Sequence, residues 1–323
     1  FKEVYSQYCT PDNELYEHNP FTISPAVFPY NLSSFIGKDY SKISSTPQGN
    51  DFTIEMAKAA VVAENLGNNA ATDFLAVSIS STDYIGHSFG PDSWEQLDDF
   101  IKLDKTLNNF LNFLDAKMGK GNYTLFLTAD HGVANSPGFS KEHNLPGGSF
   151  DNVALVNNMN KLIKEKTGFD SMIVGIYNYQ VVINHSLLKE KNLEEEKLIA
   201  FITEYLMKQD AVSVAFDIHL LNLRPMNEKQ RQMLMNGYYN GRSGSIQIIL
   251  KPGYVEGNGI GTTHGLWNPY DSHIPLLWYG WGIKQGKSYK EYYMTDIAAT
   301  LATLLHIQMP SGCVGNVIEE VMK

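Results

Sequence analysis

Positive charge and cysteine are the scarce ingredients of this chain. Its 323 residues hold 25 Lys and Arg against 35 Asp and Glu, a formal net charge of −10. A surface that grips a nucleic-acid backbone needs clustered cations, so no nucleic acid is expected as a structural partner. An anionic small molecule stays possible, because bound metal ions invert the field inside a single pocket. Only two cysteines occur, Cys9 and Cys313, too few for a disulfide framework. They read either as one long-range pair or as two separate thiols. No run approaches the roughly 18 apolar residues that span a bilayer, and no basic-then-apolar leader opens the chain. The first residue is Phe1 rather than Met, so the lack of a leader carries no information about compartment. Internal repeats and low-complexity tracts are also missing. Apolar side chains, by contrast, are plentiful. At 43% hydrophobic and 19% charged, the composition is that of a globular chain rather than a disordered one. The length suits one large domain with an insertion, or two domains of ordinary size.

Four stretches follow from the patterning. Residues 1–50, rich in Pro, Asn, Ser and Tyr, lack a sustained period and read as an irregular segment packed on the core. Residues 51–150 read as an α/β core. In FTIEMAKAAVVAENL (52–66), Ile54, Ala57, Ala60 and Val61 fall at helical spacing, and Gly67 stops the helix. DFLAVSIS (73–80) and NYTLFLTA (122–129) are short apolar runs, expected as buried strands. Between them Leu97, Phe100, Leu103, Leu107, Phe110, Leu111 and Leu114 form one apolar face of a long helix starting near Pro91. Strand, helix and strand in that order predict a βαβ unit with parallel neighbouring strands. Residues 151–255 read as a cap or insertion, with helices at 152–166, 193–208 and 226–238 and strands at 171–183, 211–216 and 245–251. Residues 256–323 return to the core, with a strand at 274–280 and a helix at 294–307. The fold class expected is α/β, a mainly parallel sheet sandwiched by helices.

Three short motifs carry the chemistry. STDYIGHSFGP (81–91) places Asp83 and His87 just beyond the first predicted strand. Ligand sites in open parallel sheets collect at the carboxyl ends of strands. A carboxylate and an imidazole projecting together there suit zinc, although D-x-x-x-H alone reads equally as a turn Asp and a surface His. TADHG (128–132) places Asp130 and His131 at the end of the second predicted strand, where Gly132 lets both turn toward one point. The alternative there is a capping Asp beside a core His. GTTHG (261–265) sets His264 among small residues as a third ligand beside Asp83 and His87. Catalytic zinc typically takes three protein ligands and keeps one position open.

Together, STDYIGHSFGP, LFLTADHG and GTTHG resemble the alkaline-phosphatase superfamily. The match is to the branch of bacterial phosphate-irrepressible alkaline phosphatases, beside the nucleotide pyrophosphatase/phosphodiesterases, and it extends over essentially the whole chain. The resemblance implies that Asp83, His87 and His264 bind one Zn2+ and that Asp130 and His131 bind a second. It further implies hydrolysis of phosphate monoesters through a covalent phosphoenzyme, small phosphorylated substrates, and a periplasmic or secreted location. One departure stands out. The family carries a further Asp ligand and a Thr or Ser nucleophile ahead of these motifs, and nothing in residues 1–72 resembles that region. The chain is therefore expected to be the C-terminal portion of a longer enzyme and to be inactive alone. Thr262, Thr263 and Ser140 are nearby hydroxyls that the resemblance does not promote. The competing functions are a phosphodiesterase or nucleotide pyrophosphatase, and a metal-binding but inactive module.

Other conspicuous residues read as structural. His143 is a solvated loop histidine, and Arg242 an arginine set for an ion pair rather than for phosphate. Glu194, Glu195 and Glu196 form the acidic first turn of a helix. His18, His185, His219, His273 and His306 lack a partner pattern.

Overall fold

Residues 2–322 are described by the computed structural model. The opening segment contains one short helix, α1 (Lys2–Tyr8), and two 3-10 turns at Ser33–Phe35 and Tyr40–Ser45. Its remaining length is irregular but tightly held. Trp94 Nε1 donates to the Thr10 carbonyl at 2.8 Å, and the Tyr5 hydroxyl donates to Asp98 Oδ1 at 3.0 Å. Phe21 is buried with Ile85 and Phe89 in a small apolar cluster.

Three helices build the support for the site. Helix α2 (Pro47–Ala63) starts on a proline, whose missing N–H costs nothing at the first helical position. Helix α3 (Ser81–Phe89) and helix α4 (Trp94–Met118) follow. Ser93 caps α4 by accepting from the Gln96 amide. A buried polar knot joins the three: Asn50 Nδ2 donates to Asp99 Oδ1 at 2.9 Å and to Thr82 Oγ1 at 3.0 Å. The Thr82 hydroxyl in turn donates to Asp99 Oδ2 at 2.7 Å.

Two expectations fail here, for identifiable reasons. Residues 81–89 were expected to be a loop following the 73–80 strand, with Gly86 and Gly90 supplying backbone freedom. They form α3 because Ile85 and Phe89 bury one face of it, and Gly90 ends it at a φ of 88°. Residues 73–80 show no ladder partner among the described residues. Val77 and Ile79 pack on the α2–α4 cluster, while Phe74 is left 63% exposed. The expected parallel pairing with 122–129 is accordingly not seen.

Strand β1 (Thr124–Thr128) instead pairs antiparallel with a strand near the far end of the chain, Leu276–Gly280. After α5 (Pro137–Glu142), β2 (Gly148–Phe150) makes the one parallel ladder among the described residues, with the strand at Tyr254–Glu256. The architecture is mixed α/β with small sheets, in agreement with the class expected.

Residues 150–250 enclose the largest apolar cluster. Helix α6 (Asn152–Thr167) precedes β3 (Ile173–Tyr177) and β4 (Gln180–Ile183), then α7 (His185–Glu190), α8 (Glu195–Leu206), β5 (Val212–Asp217), α9 (Glu228–Gly237) and β6 (Ile246–Leu250). The strands form one antiparallel sheet in the order β3-β4-β6-β5. The single strand expected over 171–183 is a hairpin, because Asn178 and Tyr179 adopt positive φ and reverse the chain. The chain leaves through β7 (Tyr254–Glu256), α10 (Pro269–Ser272), β8 (Leu276–Gly280) and α11 (Thr295–Leu304). Cys9 and Cys313 are both free thiols, which settles the open question of their pairing. No described helix is long and apolar enough to cross a membrane.

Candidate metal centre

Asp83 and His87 lie four residues apart on α3, so one helical face presents both. His87 Nε2 sits 3.4 Å from Asp83 Oδ1. On its other side His87 Nδ1 is 2.8 Å from the Thr262 carbonyl. A carbonyl only accepts, so Nδ1 carries the proton and Nε2 keeps its lone pair for a ligand role. The contact is reciprocal, since the Thr262 amide donates to the His87 carbonyl at 2.9 Å. A side chain at Gly261 would come within 2.4 Å of that same carbonyl, and its φ of 69° is also in the glycine region. This close approach explains the glycine and ties the GTTHG loop to α3.

His264 follows two residues later. Its ring stacks on His131 at a centroid distance of 3.2 Å and 12°, and lies 5.1 Å from the ring of His87. Burial, then the neighbouring His131 and His87, push its pKa below the usual imidazole value. That favours the neutral ring a metal requires. Among the described residues, Asp83, His87 and His264 form the one three-donor cluster, with ligand atoms all within 4.8 Å of one another. All three are half-buried.

The second motif arrives differently. His131 Nδ1 bonds the Gly132 carbonyl at 2.8 Å, and its Nε2 faces Asp83 Oδ1 and Asp130 Oδ2, each at 3.6 Å. Asp83 therefore stands between His87 and His131. Asp130 itself is exposed, its side chain 85% accessible. The structure thus brings four of the five sequence-expected ligands into one group, with Asp130 at its solvent edge.

One contributor had no signal in the sequence. Asp271, in α10, is 4% exposed and accepts the amides of Gly265 at 3.1 Å and Leu266 at 2.9 Å. Its backbone carbonyl accepts the Gly132 amide at 2.6 Å. It clamps the loops of both histidine motifs. Gly132 is glycine because of this approach rather than for flexibility, since a Cβ there would lie 2.1 Å from the Tyr270 carbonyl oxygen. Gly132→Ala is expected to lose about 1–3 kcal/mol of stability and to weaken zinc binding, read by chemical denaturation and by competition against a chromogenic chelator. Unchanged zinc affinity would show that the 132–271 contact does not place His131.

Residues 5–272 match the family model described as type I phosphodiesterase / nucleotide pyrophosphatase, and the chain belongs to that family. It is similar to alkaline phosphatase PhoV of Synechococcus elongatus, 44% identical over 99% of this chain and 58% of PhoV. It is also similar to alkaline phosphatase PafA of Elizabethkingia meningoseptica, 44% identical over 91% of this chain and 54% of PafA. The crystal structure of wild-type PafA superposes with a TM-score of 0.92 at 42% identity, over 99% of this chain and 62% of that one. The chain spans little more than half the length of these curated relatives.

Proposed function

We propose that the protein is a zinc-dependent hydrolase of phosphate monoesters. Asp83, His87 and His264 would hold one zinc ion, and Asp130 with His131 would belong to a second. The observation that carries this reading is the convergence of three donors from helix α3 and a distant loop, with the His87 tautomer already set for ligation. Bound zinc supplies Lewis-acid polarisation of a phosphoryl group and makes a hydroxyl ionisable near neutral pH. The protein's own residues prepare that chemistry. Asp83 brings negative charge, burial keeps His264 neutral, and Asp271 holds the two histidine loops together.

The nucleophile is not taken from this set. Thr262 is buried with its hydroxyl donating to the Ala134 carbonyl at 2.7 Å, and Ser140 is buried in α5. Our reading assigns a Thr or Ser outside these 323 residues, which would carry the covalent phosphoryl group. It also takes residues 151–255 as a cap beside the site, and places the protein in the periplasm or among secreted proteins, as its resemblance to the alkaline phosphatases suggests. A second reading, cleavage of phosphodiesters, is favoured by the description of the matched family.

The test is turnover by the protein in its full natural length. The monoester p-nitrophenyl phosphate is expected to show a kcat/KM at least about tenfold above that of the bis(p-nitrophenyl) diester, with both lost in EDTA. A higher kcat/KM on the diester would select the second reading. Turnover that survives EDTA would remove the metal from both.

A further inference from the structure

Asp271 carries more chemistry than its clamp requires. Its Oδ2 accepts the amides of Gly265 and Leu266 at 3.1 and 2.9 Å. A neutral acceptor satisfies two such donors, and the side-chain oxygen of an asparagine would do so in the same shape. The carboxylate adds a second oxygen and a charge. That second oxygen, Oδ1, is buried and has no hydrogen-bond partner among the described residues. The residue as a whole is 4% exposed. An orphaned buried acceptor costs stability, and a buried charge without a partner costs more. Helix α10 has only four residues, so few peptide dipoles add up at its N-terminus to offset that cost.

The surroundings of Asp271 supply a reason for the charge. Gly265, whose amide the side chain accepts, directly follows His264. Gly132, whose amide the Asp271 backbone carbonyl accepts at 2.6 Å, directly follows His131. Asp271 is therefore bonded to the neighbour of one ligand of each proposed zinc. The rings of His131 and His264 stack at 3.2 Å, so a charge set beside one of them is beside both. Burial disfavours the ionised Asp271 carboxyl, while the Leu266 and Gly265 amides and positive charge at His131 favour it. The two carboxylates among the proposed ligands lie nearer to water. The Asp83 side chain is 40% accessible and that of Asp130 is 85% accessible. Solvent and salt weaken exposed charges far more than buried ones.

We propose that Asp271 is a positioning residue for zinc that acts through its charge as well as its hydrogen bonds. The orphaned carboxylate holds the stacked pair of histidines in place and offsets part of the positive charge brought there. This role rests on the metal-centre reading above. It has two consequences of opposite sign: the charge destabilises the protein without metal and strengthens the binding of zinc.

The test compares Asp271→Asn with Asp271→Ala in the protein in its full natural length at pH 8. Zinc affinity is read by competition against a chromogenic chelator, and stability by urea unfolding in EDTA. Asp271→Asn keeps an acceptor for both amides and removes the charge. Its zinc affinity is expected to fall by about 10–100-fold, with an unfolding midpoint in EDTA at or above that of the wild type. Asp271→Ala also removes the acceptor, and both its zinc affinity and its midpoint should fall. An Asp271→Asn protein that binds zinc as tightly as the wild type overturns the role of the charge and leaves the metal-centre reading standing. So does one whose midpoint in EDTA falls together with its zinc affinity, because loss of the clamp then accounts for both. A wild-type protein that takes up no zinc overturns the proposal and the metal-centre reading together.

Discussion

His264→Ala is expected to abolish tight zinc binding. The wild-type chain at pH 8 should retain roughly one zinc ion through dialysis, as a three-ligand site does, and the variant should retain none by elemental analysis. Losing an outer-shell partner of a metal ligand costs about 10–100-fold in affinity, and losing a ligand should cost more. His264 is also the member contributed by a separate loop, 177 positions from His87 by their numbers. His143→Ala is the matching control. That side chain is exposed, stacks on Phe139 at 4.0 Å and bonds the Phe139 carbonyl, outside the three-donor cluster. Its zinc content should equal that of the wild type. Zinc retained in full by His264→Ala, in a folded protein, would overturn the ligand set.

The second large effect is a loss of stability with rising pH, driven by carboxyls buried between the opening segment and α4. Glu95 is 6% exposed. Its Oε1 accepts the Tyr30 hydroxyl at 2.8 Å, and its Oε2 is buried without a partner. Burial raises its pKa to about 7, even though the Tyr30 hydrogen bond acts to lower it. Burial, followed by repulsion from Glu95, raises Glu17 to about 8. Unfolded glutamates titrate near 4.3, so between that pH and the folded values the folded state binds more protons than the unfolded state. Stability is then fully present below the unfolded pKa and is lost as pH rises through about 7 and about 8. For Glu95 alone the loss is on the order of 3 kcal/mol. Asp92, Asp99 and Asp271, also raised by burial, act in the same direction. Urea unfolding in EDTA at pH 5.5 and 8.5 separates this from the opposite pH dependence of metal binding. Glu95→Gln should match the wild type at the lower pH and exceed it at the higher one. A wild-type stability that climbs across this interval would contradict the argument.

The five ligand candidates were legible because each motif pairs metal-ligating side chains with small or flexible neighbours. Their joint occurrence points to a candidate metal centre rather than to the separate bland explanations of each. The helices at 152–166, 193–208 and 226–238 were legible for a different reason. Each carries its own apolar period and its own ends, so α6, α8 and α9 form close to where local patterning puts them. Local patterning misled where packing outweighed it. Gly86 and Gly90, just past an expected strand, argued for a loop at Asp83, yet burial of Ile85 and Phe89 made α3 a helix and set Asp83 and His87 on one face. The long apolar signal over 171–183 concealed a hairpin, because a Tyr in the left-handed region leaves no mark in a hydrophobicity pattern.

By itself the sequence determined the class of the fold, the candidate metal-ligating residues and the family, all properties of local strings and their order. Only the tertiary structure decided which strands pair. Ladder partners are chosen by what lies alongside, and β1 meets β8 from about 150 residues away. It likewise decided that Asp271 clamps the two histidine loops, and that Tyr179 lines a hollow beside His264. These assignments depend on distances between residues far apart in the chain, and a single sequence contains no term for distance.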